Sequence, residues 1–167
     1  ISRLPFENEY IRDVFINSDA LDGLNDEGQA LVRVMINTGC RDTEIIGLLP
    51  EEILLEHQIP HIIIQANHIR GLKTPCSERK VPLVGVSLEI MKGMPEGFKH
   101  YRSGVLDNAS NTVGKYFREN NLNPTERHSL YSLRHSFKDR LRDVDAGDEI
   151  IDELMGHKTN KPKYGTG

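Results

Sequence analysis

The sequence predicts an α+β fold, mainly helical, with a small antiparallel sheet inserted after the first third. Three observations carry this expectation. Apolar residues recur at helical spacing in several separate stretches. One run, His61-Ile62-Ile63-Ile64, is β-branched and favours a strand. A polar turn over 71–78 then leads to Lys80-Val81-Pro82-Leu83, which reads as the return strand near the sheet's edge. Pro82 argues against a central position there.

The elements follow in chain order. An amphipathic stretch runs from about Glu9 to Ile16. Asn25 or Asp26 can cap a longer helix through Met35, with Ala30, Leu31, Val34 and Met35 on its apolar side. Gly39 is a natural stop. Asp42 is placed to cap a short helix carrying Ile45, Ile46 and Leu48 before Pro50. After the sheet near residues 61–83, a short helix lies beyond Val86 and ends near Gly93. The stretch 93–108 holds Gly93, Pro95, Gly97 and Gly104 and reads as loop. Ala109 to Glu119 reads as helix, with Val113, Tyr116 and Phe117 on one side. Leu130, Leu133, Phe137, Leu141 and Val144 give the clearest helical periodicity in the chain. A last helix spans about Asp148 to Met155 and stops at Gly156.

The 167 residues fit one domain with a real core. Net charge is −4, so the whole chain carries no nucleic-acid signal. Its distribution is uneven: residues 1–60 hold 4 basic and 12 acidic side chains, residues 61–167 hold 17 and 13. The second part can therefore present a positive face. No apolar run is long enough to span a bilayer, and the opening residues lack a basic-then-apolar signal segment. Cys40 and Cys76 are too few for a disulfide framework and read as reduced thiols of a cytosolic protein. His57 and His61 have i,i+4 spacing, but Pro60 breaks any helix between them. No phosphate-cradling glycine loop, zinc signature or hydrolase elbow occurs, so neither cofactor nor metal is expected.

Four segments hold residue types that handle phosphate. Arg41 lies at a tight junction between two helices, in Thr38-Gly39-Cys40-Arg41-Asp42-Thr43-Glu44. A guanidinium suits two non-bridging phosphate oxygens, and Glu44 can fix its orientation. Taken alone, such a pair is more often a plain helix-start ion pair. Lys73 lies in a polar turn, where a lysine can reach a phosphate or give a proton to a leaving oxygen, though most turn lysines are only solvated. Tyr131, Arg134 and Lys138 form one polar stripe, beside a buried stripe of Leu133 and Phe137. His135 lies off the polar stripe and reads as a buried, hydrogen-bonded core histidine. His157 follows the helix stop at Gly156, and Tyr164 stands beside Gly165 in a broken basic run. A phenol of ordinary pKa, about 10, needs positive donors around it to act as a nucleophile.

In this order the pieces resemble the catalytic domain of the tyrosine recombinase, or phage-type integrase, family. The family pattern is an arginine in Thr-Gly-x-Arg-x-x-Glu, a hairpin lysine, a His-x-x-Arg-His helix, a Gly-His and a late tyrosine. The chain supplies Thr38 to Glu44 around Arg41, Lys73 in Leu-Lys-Thr, Leu133-Arg134-His135, Gly156-His157 and Tyr164. Arg79-Lys80-Val81-Pro82-Leu83 matches the usual end of the hairpin. The resemblance covers about residues 20–167. It implies a DNA breaking-rejoining enzyme-like catalytic domain over 1–167, with the family's upstream core-binding domain absent from this chain. One position departs: the family's histidine three residues before the second arginine is Tyr131, which leaves the general base open.

The resemblance implies transesterification on duplex DNA without metal or ATP. Tyr164 would attack a backbone phosphate, form a 3′-phosphotyrosyl link and release a 5′-hydroxyl. Arg41 and Arg134 would clamp the non-bridging oxygens. Lys73 would be the general acid, with Lys80 the weaker candidate. His157 and Tyr131 would hydrogen-bond the phosphate, and Glu44 and His135 would support the site. The implied setting is a bacterial or prophage-encoded cytoplasmic protein that multimerises on DNA through its full-length form, with no membrane partner. A type IB topoisomerase shares this chemistry, and Tyr131 is the main support for a DNA-binding relic that no longer cleaves.

Overall fold

Residues 2–158 are described by the structure, a computed structural model. Helix α1 (Asn8–Tyr10) continues into a wider π-helical turn, Ile11–Ile16, which buries Ile11 and Phe15. Phe15 stacks on Phe117 at 5.2 Å and meets the edges of Phe6 and Tyr10. Helix α2 (Asp26–Thr38) starts where the sequence places it: the Asn25 side chain accepts the Gly28 N–H at 2.7 Å. Leu31, Val32, Val34, Met35 and Ile36 are all buried, so α2 is a central helix covered on most sides. Helix α3 (Asp42–Ile46) is capped one residue earlier than expected. Arg41, not Asp42, holds the cap position, because the Glu44 carboxylate reaches back to the Arg41 backbone N–H at 2.8 Å.

The sheet has three antiparallel strands in the order β1 (Ile53–Leu54), β2 (His61–Ile64), β3 (Arg79–Pro82). Ile62 pairs with Ile53 on one side and Val81 on the other. Strand β1 is an addition to the expected hairpin, and two residues are too few to carry a periodic signal. Pro82 sits on an edge strand, as its missing N–H requires. Inward positions of β3 are Arg79 and Val81, so an arginine occupies a core-facing site.

Helix α4 (Gly85–Lys92) lies against α2, with the Ser87 hydroxyl accepting the Asn37 N–H and donating to the Val34 carbonyl. Within the segment expected to be loop, a short helix α5 (Lys99–Arg102) forms. The distant Glu27 carboxylate accepts the N–H groups of His100 and Tyr101, a cap no local pattern announces. Helix α6 (Asp107–Glu119) follows, then α7 (Ser132–Asp143) and α8 (Asp148–Met155). The buried face of α7 is Ser132, Leu133, Arg134 and Ser136; Phe137 and Leu141 are half-buried and Val144 is exposed. Ser136 explains part of this shift, since its hydroxyl bonds both the N–H and the carbonyl of Phe6 and so brings the chain's start onto α7. Among the described residues no helix is long and apolar enough to cross a membrane, and no cluster of three or more potential metal ligands occurs.

Candidate active site

The site is built at two left-handed helix ends. Gly39 closes α2 with φ 64°. A β-carbon there would lie 2.2 Å from Phe137 Cδ1, so only glycine lets α7 pack this close. Gly156 closes α8 with φ 69°, and a β-carbon there would lie 2.7 Å from Arg79 Nη1. These close approaches bring α2, α7, α8 and the foot of the hairpin to one place.

Arg134 lies between them, 2% exposed. Its Nη1 donates to the Gly39 carbonyl at 2.7 Å and its Nη2 to the Met155 carbonyl at 2.8 Å. The same Nη2 lies 3.3 Å from His157 Nε2. A guanidinium only donates, so Nε2 accepts and the His157 proton resides on Nδ1. Burial, then the positive charges of Arg134, Lys138 and Arg41, hold the His157 pKa below its ordinary value. The lowered pKa favours the neutral imidazole, which keeps one N–H to offer. Burial and then the charge of Arg41 push the Arg134 pKa down.

Arg41 is mostly buried, with Nη1 3.3 Å from Glu44 Oε2; its Nε finds no acceptor among the described residues. Glu44 is the hub. It accepts two bonds from Arg79, at 2.8 and 2.9 Å, and the Arg41 backbone N–H. Burial raises its pKa, but the Arg79 and Arg41 contacts outweigh burial and leave it below the ordinary carboxylate value. Tyr131 is 40% exposed on the same wall, with the Arg134 guanidinium 5.9 Å from its ring centre.

Two expectations need correction, and one residue was missed. His135 is half-buried, its ring set edge-on to Tyr131 at 5.5 Å, rather than a hydrogen-bonded core histidine. Neighbouring helix positions point about 100° apart. Burying Arg134 therefore turns His135 outward. Arg134 itself is buried with Leu133, while Tyr131 is exposed and Lys138 half-buried, so the expected polar stripe runs from core to surface. The missed residue is Arg79, which also donates from Nε to the Leu154 carbonyl at 2.8 Å. Its signal was its parity with Val81 in an alternating strand. Lys73 is exposed on the turn, and no ion pair holds it among the described residues. The end of that turn, Cys76, lies 3.5 Å from the Gly156 carbonyl, beside His157. Lys80 is exposed, on the opposite face of β3 from Arg79. Tyr164 lies outside the described residues.

No protein-family model matches the chain, and no curated protein matches its sequence. Solved structures do match. The Tn1549 transposon integrase in complex with transposon right end DNA superposes with a TM-score of 0.67 at 15% identity, over 93% of this chain and 58% of that one. The XerH site-specific recombinase bound to palindromic difH substrate gives 0.68 at 17% identity, over 95% and 48%. This is the recombinase–integrase fold. The integrase from mycobacterium phage Brujita shares it, with a TM-score of 0.66 at 18% identity over 94% of this chain and 50% of that one. The chain thus spans about half to three fifths of these recombinase-fold proteins. The fold expected from the resemblance to tyrosine recombinases is the fold observed.

Proposed function

We propose that this chain is the catalytic domain of a site-specific DNA recombinase or integrase that cleaves and rejoins duplex DNA through a 3′-phosphotyrosyl intermediate. The carrying observation is Arg134, bonded to the Gly39 and Met155 carbonyls and 3.3 Å from His157 Nε2, with Arg41 just beyond Gly39 in the chain, in a recombinase fold. Arg134 and Arg41 bind the non-bridging oxygens of a backbone phosphate and stabilise the charge that develops at phosphorus. The His157 Nδ1–H adds a third donor. The Tyr131 hydroxyl orients the phosphate from the exposed rim. Tyr164 is the nucleophile and Lys73 the proton donor to the departing 5′-oxygen. Duplex DNA is the partner, bound through its phosphates, and the sequence-reading contacts and the functional multimer belong to the longer protein. The isolated chain is then monomeric at micromolar concentration by light scattering, and a tight tetramer without DNA would contradict this reading.

The test is covalent capture on a nicked duplex carrying the native site, using the full-length protein. Wild type forms a protein–DNA adduct that maps to Tyr164, while Tyr164→Phe binds DNA and forms none. An adduct at Tyr131, or undiminished cleavage by Tyr164→Phe, would overturn the assignment. Tyr131 in place of the family's histidine favours a second reading, a binder that no longer cleaves. Specific binding by wild type without any adduct would establish it. Relaxation of supercoiled DNA lacking a specific site would instead favour a topoisomerase.

A further inference from the structure

We propose that Arg70 and Arg79 are positioning residues for Lys73, holding the hairpin turn to the phosphate site through Glu44. The inference rests on the recombinase reading above. The two arginines stand at the two feet of the turn. Arg70 immediately precedes Gly71, and Arg79 opens β3. Both are buried, at 8% and 6% exposure, while Lys73 between them is exposed. Arg79 grips the Glu44 carboxylate with two bonds. Arg70 donates to the Glu44 backbone carbonyl at 3.3 Å and to the Gln65 carbonyl. Both feet therefore close on one residue, by its side chain and by its main chain. The Glu44 carboxylate also holds Arg41, so the turn and the clamp share an anchor.

Leu72 packs on the core and Cys76 meets the Gly156 carbonyl, but no side-chain bond to Lys73 itself appears among the described residues. The turn's internal side-chain bonds join Thr74 to Cys76 and Ser77, all beyond the lysine. Lys73 lies three residues from Arg70, within about 10 Å of chain even when extended. Space is cleared for Arg70: a β-carbon on Gly47 would lie 2.6 Å from its Cδ. The arrangement is also costly as packing. Arg70 Nε and Glu52 Oε2 are buried without hydrogen-bond partners among the described residues, and burial lowers the Arg70 pKa. Apolar residues of similar volume would hold the same space at least as well. Two buried guanidiniums at the feet of an exposed turn make sense as fixed-length, directional ties.

In the step concerned, the Tyr164 phenol gives its proton to a solvent base and its oxygen forms the bond to phosphorus. The bond from phosphorus to O5′ breaks, its electron pair goes to O5′, and O5′ takes a proton from the Lys73 ammonium. A leaving sulfur in place of O5′ departs as thiolate and needs no proton. The experiment therefore uses the full-length protein and two nicked duplexes that differ only in a bridging 5′-oxygen or 5′-sulfur. Arg79→Lys, Arg70→Lys, Lys73→Ala and Arg134→Lys are compared by adduct formation, with melting and DNA binding as checks of folding. The expected result is a loss of about tenfold or more on oxygen for Arg79→Lys and Arg70→Lys, recovering to within about twofold of wild type on sulfur, as for Lys73→Ala. Arg134→Lys loses equally on both. Equal loss on both substrates by the Arg70 and Arg79 variants would overturn the inference and leave the recombinase reading intact. If Arg79→Lys does not fold, Arg70→Lys, whose contact is with the Glu44 main chain, decides by the same criterion. No adduct from wild type on either duplex would overturn both.

Discussion

Arg134 is 2% exposed and bonded to the carbonyls that end two helices, whereas Lys73 stands exposed on a turn with no ion pair among the described residues. One half of the site is thus part of the core, and the other half is hung from it. The difference teaches which functional residues the fold depends on. In the proposed reading, the groups that would stabilise charge at phosphorus are held rigidly as part of the core, whereas the proposed proton donor is exposed and only its tether is structural.

Substitutions can break or sharpen this contrast, ordered here by expected loss of stability. Glu44→Ala has the largest effect, about 3–5 kcal/mol, because it leaves the buried Arg79 charge without its partner. Urea unfolding measures it. The Glu44 pKa is depressed in the folded state, so its contribution is present above its ordinary value of 4.5 and is lost as pH falls through the lower folded value. Glu44→Gln should flatten that acid limb, and an unchanged limb would show that other carboxylates set it. Arg134→Lys comes next, at about 2 kcal/mol for two carbonyls that lose charged donors, with cleavage reduced about 100-fold or more. Gly39→Ala should cost about 1–2 kcal/mol from the left-handed backbone alone, with a further displacement of Phe137. Lys73→Ala is the smallest, within about 0.5 kcal/mol of wild type in stability, yet it should slow cleavage about 100-fold. If Lys73→Ala unfolded the protein, or Glu44→Ala did not weaken it, the division between core and tether would fail.

The same division governs what could be read in advance. Helix α2 with its Asn25 cap and Gly39 stop, strand β2 and helix α8 all announce themselves through local patterns of a few residues. Strand β1 and helix α5 do not, since two and four residues hold no period, and the α5 cap comes from Glu27 far away. Arg41, Arg134 and His157 were legible as residue types in order along the chain. Their environment was not: a helical wheel places Arg134 beside Tyr131 but cannot know that Gly39 and Met155 wait to bury it. The contacts of Arg70 and Arg79 with Glu44 could not be read for the same reason, because Glu44 is distant in sequence.

Besides His157 Nε2, the acceptors of Arg134 are peptide carbonyls at the C-terminal ends of α2 and α8, each carrying a share of its helix's dipole. A carboxylate in their place would bring a full negative charge, compete with an incoming phosphate for the same donors and take up a proton in acid. Peptide dipoles do none of these. They keep the guanidinium oriented at every pH at which the chain is folded. An arginine held by helix ends is oriented without a carboxylate bonded to it among the described residues.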